Sequence, residues 1–242
     1  MPRSKPLIAS AVALFFTAET ALGILFQTGH GSGAVLRYAT VLLACLFCGL
    51  FAERSWAYLL TQLALLLTVC ADWFLVLPSP PNQLPGMVFF SLAQLAYGAR
   101  LCLAEPSPLR RRAWLWARAL LSAAALTATI LALGKGTDAV ALVSMLYYAN
   151  LILNLILAWT QLPKQAIMAV GLTLFLLCDT LIGLAFLDGY IPIGEESVIY
   201  RIIHPGFDLA WAFYLPSQML LAVSLLPVRR RTDPSHPPRN PA

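Results

Sequence analysis

The chain is poor in charge. Asp, Glu, Lys and Arg together make up 11% of its 242 residues, where a soluble domain carries about a quarter. There are too few charges to cover a water-facing fold, and no soluble domain of any size fits between the apolar segments. Histidine is scarce as well. Of the three, His30 and His204 fall in loops and His236 in the tail, so no metal-ligand or triad spacing arises. The five cysteines (Cys45, Cys48, Cys70, Cys102, Cys178) all lie inside apolar runs, where a small polarisable side chain packs well without an oxidising compartment. Cys45 and Cys48 form a C-x-x-C, but neither a histidine nor a second pair accompanies it. Neither a metal nor a cofactor is expected. Ten-residue alternating strands are absent too, which excludes a transmembrane β-barrel.

What is present is apolar sequence: 60% hydrophobic residues and a mean hydropathy of +0.76. A helix rises about 1.5 Å per residue and the hydrocarbon layer is about 30 Å thick, so a span needs about 20 residues. Eight segments qualify, at 7–26, 35–51, 57–77, 86–104, 113–133, 139–160, 167–187 and 208–226. Short connections such as "QTGHGSG", "PSPPNQLPG", "EPSPLRRR" and "GKGTD" separate them and carry helix-breaking residues. The opening "MPRSKPLIASAVALFFTAETALGILF" begins like a signal peptide, but its long apolar part and lack of a small-x-small site mark an uncleaved first span. The expected fold is all-α: a polytopic bundle of about eight transmembrane helices over residues 1–228. A basic, proline-rich tail (229–242), expected to be disordered, follows it. The long loop before the eighth span, "DGYIPIGEESVIYRIIHPGF", has room for an interfacial segment.

The net charge of +5 does not point to nucleic acid, because the basic residues sit in short loops. Arg3, Lys5, Arg54, Arg110, Arg111, Arg112, Lys164 and Arg229 to Arg231 fall on one side, against Lys135 and Arg201 on the other. The positive-inside rule then places both termini in the cytoplasm, with the chain in a bacterial inner membrane or an endomembrane. The halves also echo each other. "CADWFLVL" around Asp72 pairs with "CDTLIGLA" around Asp179, and "FFSLAQ" ending at Gln94 pairs with "FYLPSQ" ending at Gln218. Spans three and seven run outward and spans four and eight inward, which suggests a parallel 4+4 internal repeat.

Polar groups inside spans are costly and mark function. With the orientation fixed, Glu19, Arg37, Asp72, Gln94, Asp179 and Asp208 converge on one layer in the outward half of the bilayer, which implies a polar pocket open to that leaflet. Each residue also has a plainer reading. Asp72 and Asp179 could also be interhelical hydrogen-bonding groups, though less readily both at once, Glu19 and Arg37 a structural ion pair, and Asp208 a helix N-cap. Gln94, Gln218, Asn150 and Asn154 fit hydrogen-bonding packers, and Arg100 and Arg118 fit snorkelling side chains.

The arrangement resembles the YhhN-like integral membrane proteins, which include the animal lysoplasmalogenases. That family carries Gly-Asp in span three, F-x-x-x-H-x-x-Y in span four, Ser-Asp in span seven after an apolar G-x-x-x-F, and a basic residue opening span two. This chain has "CADWFLVL", "FSLAQLAY" (90–97), "GLTLFLLCDTLIGLAFL" (171–187) and Arg37 at those places. Ala71 and Cys178 replace the small residues before the aspartates, and Gln94 replaces the histidine. A glutamine cannot shuttle a proton.

The resemblance implies hydrolysis of the vinyl ether bond of a lysoplasmalogen, giving a fatty aldehyde and a glycerophospho-headgroup. That chemistry needs one protonated acid and one anionic partner, which two carboxyls held out of water supply. Asp179 is assigned as proton donor and Asp72 as the carboxylate, although the roles are interchangeable; the other residues assigned to binding the lysophospholipid or related ether lipid are Arg37, Glu19, Gln94, Tyr97, Asn150 and Gln218. A non-enzymatic lipid-binding protein and a small-solute transporter are the competing readings of the same residues.

Overall fold

The computed structural model describes residues 5–30, 32–52, 54–187, 194–204 and 206–226. The basic tail, Arg3 and the loop residues 188–193 lie outside the described residues, so the expectation of a disordered tail does too. The described residues form nine α-helices in chain order: α1 (Lys5–Gln27), α2 (Gly33–Phe51), α3 (Trp56–Leu75), α4 (Gln83–Ala104), α5 (Pro108–Leu133), α6 (Ala139–Thr160), α7 (Ala166–Leu187), α8 (Val198–Ile203) and α9 (Leu209–Val223). Among the described residues, seven helices are long and apolar enough to cross a membrane. The chain is a polytopic helical membrane protein.

The eighth expected span is shorter than its apolar run suggested. It forms α9, 15 residues long, about 22 Å at the usual rise. Asp208 fixes its start, accepting from the Trp211 amide at 3.2 Å, and turn geometry replaces the helix after Val223. The loop before it holds the short helix α8, begun by Ser197 accepting from the Tyr200 amide at 3.1 Å. Ser55, Ser107 and Asp138 start α3, α5 and α6 in the same way, each satisfying an amide that has no partner within its helix.

Six helices close a ring: α2 packs on α3, α3 on α4, α4 on α6, α6 on α7, α7 on α9, and α9 returns to α2. α1 lies outside against α2 and α9, and α5 lies outside against α6 and α4. Shifting α1–α4 onto α5, α6, α7 and α9 maps every one of these contacts onto another. The helix pairing therefore has the 4+4 pattern suggested by the sequence. Small residues let the helices approach. A Cβ on Gly86 of α4 would stand 2.4 Å from Leu75 Cγ of α3, and one on Gly171 of α7 would stand 3.2 Å from Leu221 Cγ of α9.

Candidate functional site

Asp72 lies in the last turn of α3 and Asp179 in the C-terminal half of α7, on two helices of the ring. Asp72 is 3% exposed and its Oδ2 accepts a hydrogen bond from the Tyr214 hydroxyl of α9 at 2.7 Å. Asp179 is half-buried and accepts from the Tyr147 hydroxyl of α6. Both residues before the aspartates, Ala71 and Cys178, are buried, consistent with a need for small groups where neighbouring helices meet.

An aromatic cluster joins the two acids. Phe175, one turn before Asp179, has its ring centroid 5.5 Å from Tyr214 and 6.5 Å from Tyr147. Phe90 of α4 closes the group at 5.9 Å from Phe175 and 5.5 Å from Tyr147. A tyrosine hydroxyl donates to an ionised carboxylate and accepts from a protonated one, so either carboxyl can carry a proton without losing its partner.

From Tyr214 the aromatic cluster continues to Trp211, whose ring lies 4.9 Å away. The Arg37 guanidinium of α2 stands 5.6 Å from the Trp211 ring and 5.5 Å from that of Phe26, and it forms an ion pair with Asp208. Asp208 is thus both N-cap and ion-pair partner. Gln27 fastens it further, donating to the Asp208 carbonyl at 2.8 Å and accepting from its amide at 3.0 Å. Arg37 Nε is buried without a hydrogen-bond partner.

Other expected site residues are placed differently. The ion pair foreseen between Glu19 and Arg37 does not form: Arg37 takes Asp208, and both carboxyl oxygens of Glu19 are buried without a partner. Gln218, read as a hydrogen-bonding packer, has neither amide atom bonded. Gln94 accepts from Asn154 Nδ2 at 3.0 Å, while its own Nε2 and the Tyr97 hydroxyl are buried and unpartnered. Asn150 is not with the aspartates; with Asn154 it accepts from Arg118 of α5. Asn150 and Asn154 both hydrogen-bond between helices, joining α6 to α5 and, through Asn154, to α4.

The snorkelling reading of the two arginines fails. Arg118 turns inward to these asparagines, and Arg100 is 3% exposed, bonding Thr61 at 2.9 Å and the Ser224 hydroxyl at 2.7 Å. Interior hydroxyls and amides solvate each guanidinium where it stands, which removes the need to reach the interface. Tyr214 and Tyr147 were missed, since a tyrosine in an apolar run reads as a core aromatic. The only signal was that a buried phenol needs a partner. Among the described residues no group of His, Cys, Asp and Glu is placed to hold a metal ion.

The family model that describes the YhhN family matches residues 33–225, from the start of α2 to just past the end of α9. No curated protein and no solved structure matches the chain.

Proposed function

Because this chain belongs to the YhhN family, a family of membrane proteins, we propose that it is a membrane-embedded hydrolase of the vinyl ether bond in lysoplasmalogen-type lysolipids. The observation that carries this reading is the pair of aspartates, Asp72 and Asp179, each hydrogen-bonded by a tyrosine, the two tyrosines belonging to one aromatic cluster.

Asp179, the more accessible of the two, gives its proton to the β-carbon of the vinyl ether. This leaves an oxocarbenium ion that the Asp72 carboxylate steadies. Water adds to the cation as Asp72 takes its proton, forming a hemiacetal. Asp72 then protonates the ether oxygen while the hemiacetal hydroxyl returns a proton to Asp179, releasing aldehyde and headgroup with both acids restored. Arg37, with its free Nε, binds the lysolipid phosphate, and a partner exchange with Asp208 frees the rest of the guanidinium fork. Gln94 takes no proton in this scheme.

The test is aldehyde release from 1-O-alkenyl lysophosphatidylethanolamine by purified protein, with the saturated 1-O-alkyl lipid as control. Aldehyde should form from the alkenyl lipid alone, and Asp72→Asn and Asp179→Asn should each lower the rate by about 100-fold or more while the protein stays folded. If aldehyde never forms but lysolipid co-purifies in a manner that depends on Asp72 and Asp179, the lipid-binding reading replaces this one. Gln94 in the family's histidine position is what favours that alternative.

A further inference from the structure

A second polar site lies between α4, α5 and α6, apart from the aspartates. The Arg118 guanidinium donates to Asn150 Oδ1 and, at 2.6 Å, to Asn154 Oδ1. Both amides are oriented from behind: Asn154 Nδ2 donates to the Gln94 carbonyl at 2.7 Å and Asn150 Nδ2 to the Leu146 carbonyl at 2.7 Å. Gly98 of α4 makes the room, for a Cβ there would stand 2.3 Å from Arg118 Nη2 and 2.7 Å from Asn154 Oδ1.

Neutral amides solvate the guanidinium but do not cancel its charge. Among the described residues the ion pairs are Arg37–Asp208 and Arg110–Glu105, and neither involves Arg118. A guanidinium has five N–H donors; two are used, leaving Nε–H and one on each terminal nitrogen. Beside them opens a cavity of about 270 Å³ lined by Ser91, Leu95, Leu115, Arg118, Ser122 and Asn150, among others. Leu95 and Leu115, which line it, are 47% and 55% exposed, on helices that cross the membrane.

We propose that this groove binds the carboxylate of a long-chain fatty acid drawn from the bilayer, with the Arg118 fork on the head and the chain running out over Leu95 and Leu115. An uncompensated cation within a span calls for an anion, and a planar carboxylate matches the remaining donors edge to edge. The volume lies just under the usual range for ligand pockets, which suits a small head and its first methylenes. Arg118 also lies six residues, about 9 Å of helix rise, deeper into α5 than Arg112. At that depth the small cavity admits the two oxygens of a carboxylate on a single chain more readily than the larger headgroup of a phospholipid.

The experiment titrates palmitate, ¹³C-labelled at the carboxyl, into the full-length protein in zwitterionic nanodiscs, with hexadecanol and hexadecyl phosphate as competitors. Saturable palmitate binding is expected, unaffected by hexadecanol. Arg118→Gln should weaken it by about tenfold or more, while Arg118→Lys, which keeps charge but not the fork, falls between. Ala119→Phe, at a further residue lining the groove, leaves the arginine–asparagine bonds in place and fills the groove, so it should abolish binding at an unchanged melting temperature. Asp179→Asn should leave binding intact, which separates this site from the proposed hydrolytic one. Absence of binding, equal competition by hexadecanol, tighter binding of hexadecyl phosphate, or full binding by Ala119→Phe would each overturn the assignment.

Discussion

At equivalent places in the two repeat units stand Phe90 of α4 and Tyr214 of α9, each one turn before a glutamine. One hydroxyl separates them, and it belongs to Asp72. Asp179 finds its hydroxyl elsewhere, on Tyr147 of α6, so the repeat breaks at the site and gives its two acids different surroundings. Removing either hydroxyl leaves a carboxyl oxygen short of a partner, and the loss grows with burial. Tyr214→Phe should therefore destabilise the protein by about 1–3 kcal/mol, and Tyr147→Phe by less, because Asp179 is only half-buried. Thermal unfolding in detergent measures the difference, and equal losses would mean that burial does not set it. The aspartates themselves were legible, since a carboxylate inside an apolar run has few bland explanations. Their tyrosines were not, because the cost of a buried phenol is visible only once its neighbours are known.

The helices were legible nearly to their ends, since span length follows from bilayer thickness and end positions from Ser, Asp, Pro and Gly. α9 is the exception, and its fastening is tertiary. Arg37 reaches it from α2 and Gln27 from the end of α1, both meeting at Asp208. Nothing in a one-dimensional pattern tells an arginine at the start of one span that its partner lies 171 residues away. The same blindness misread Arg118, whose inward turn depends on space left by Gly98 on another helix. Because a hydrogen bond to a charged group contributes about 1.5–3 kcal/mol, Arg37→Gln and Asp208→Asn should each loosen the start of α9. That should appear as faster proteolysis of the α8–α9 connection. The exchange Arg37→Asp with Asp208→Arg should recover part of the loss; no recovery would show that the aromatic rings around Arg37, rather than the ion pair, hold the helix end.

For the whole molecule, the question is whether the two units are independent bundles that touch or halves of one ring. Helices in lipid gain no hydrophobic drive from associating, so packing and polar bonds decide. Many of those bonds run between the units: Asn154 to Gln94, Gln161 to the Leu101 carbonyl at 2.9 Å, Arg100 to Ser224, Tyr214 to Asp72 and Arg37 to Asp208. Each unit alone would face lipid with these groups unpaired, at a cost of about 0.6 kcal/mol or more for each lost bond. The covalent link between units is the short stretch from Glu105 to Ser107, which contributes the cap of α5 but spans no part of the ring. Expressed as separate chains, residues 1–106 and 107–242 should therefore co-purify as a folded complex that retains the detergent stability of the intact protein. Either chain alone should be degraded or aggregate. Should one half purify alone as a stable, protease-resistant bundle, the ring would be a contact between self-sufficient units, and a site shared by Asp72 and Asp179 would lose its structural basis.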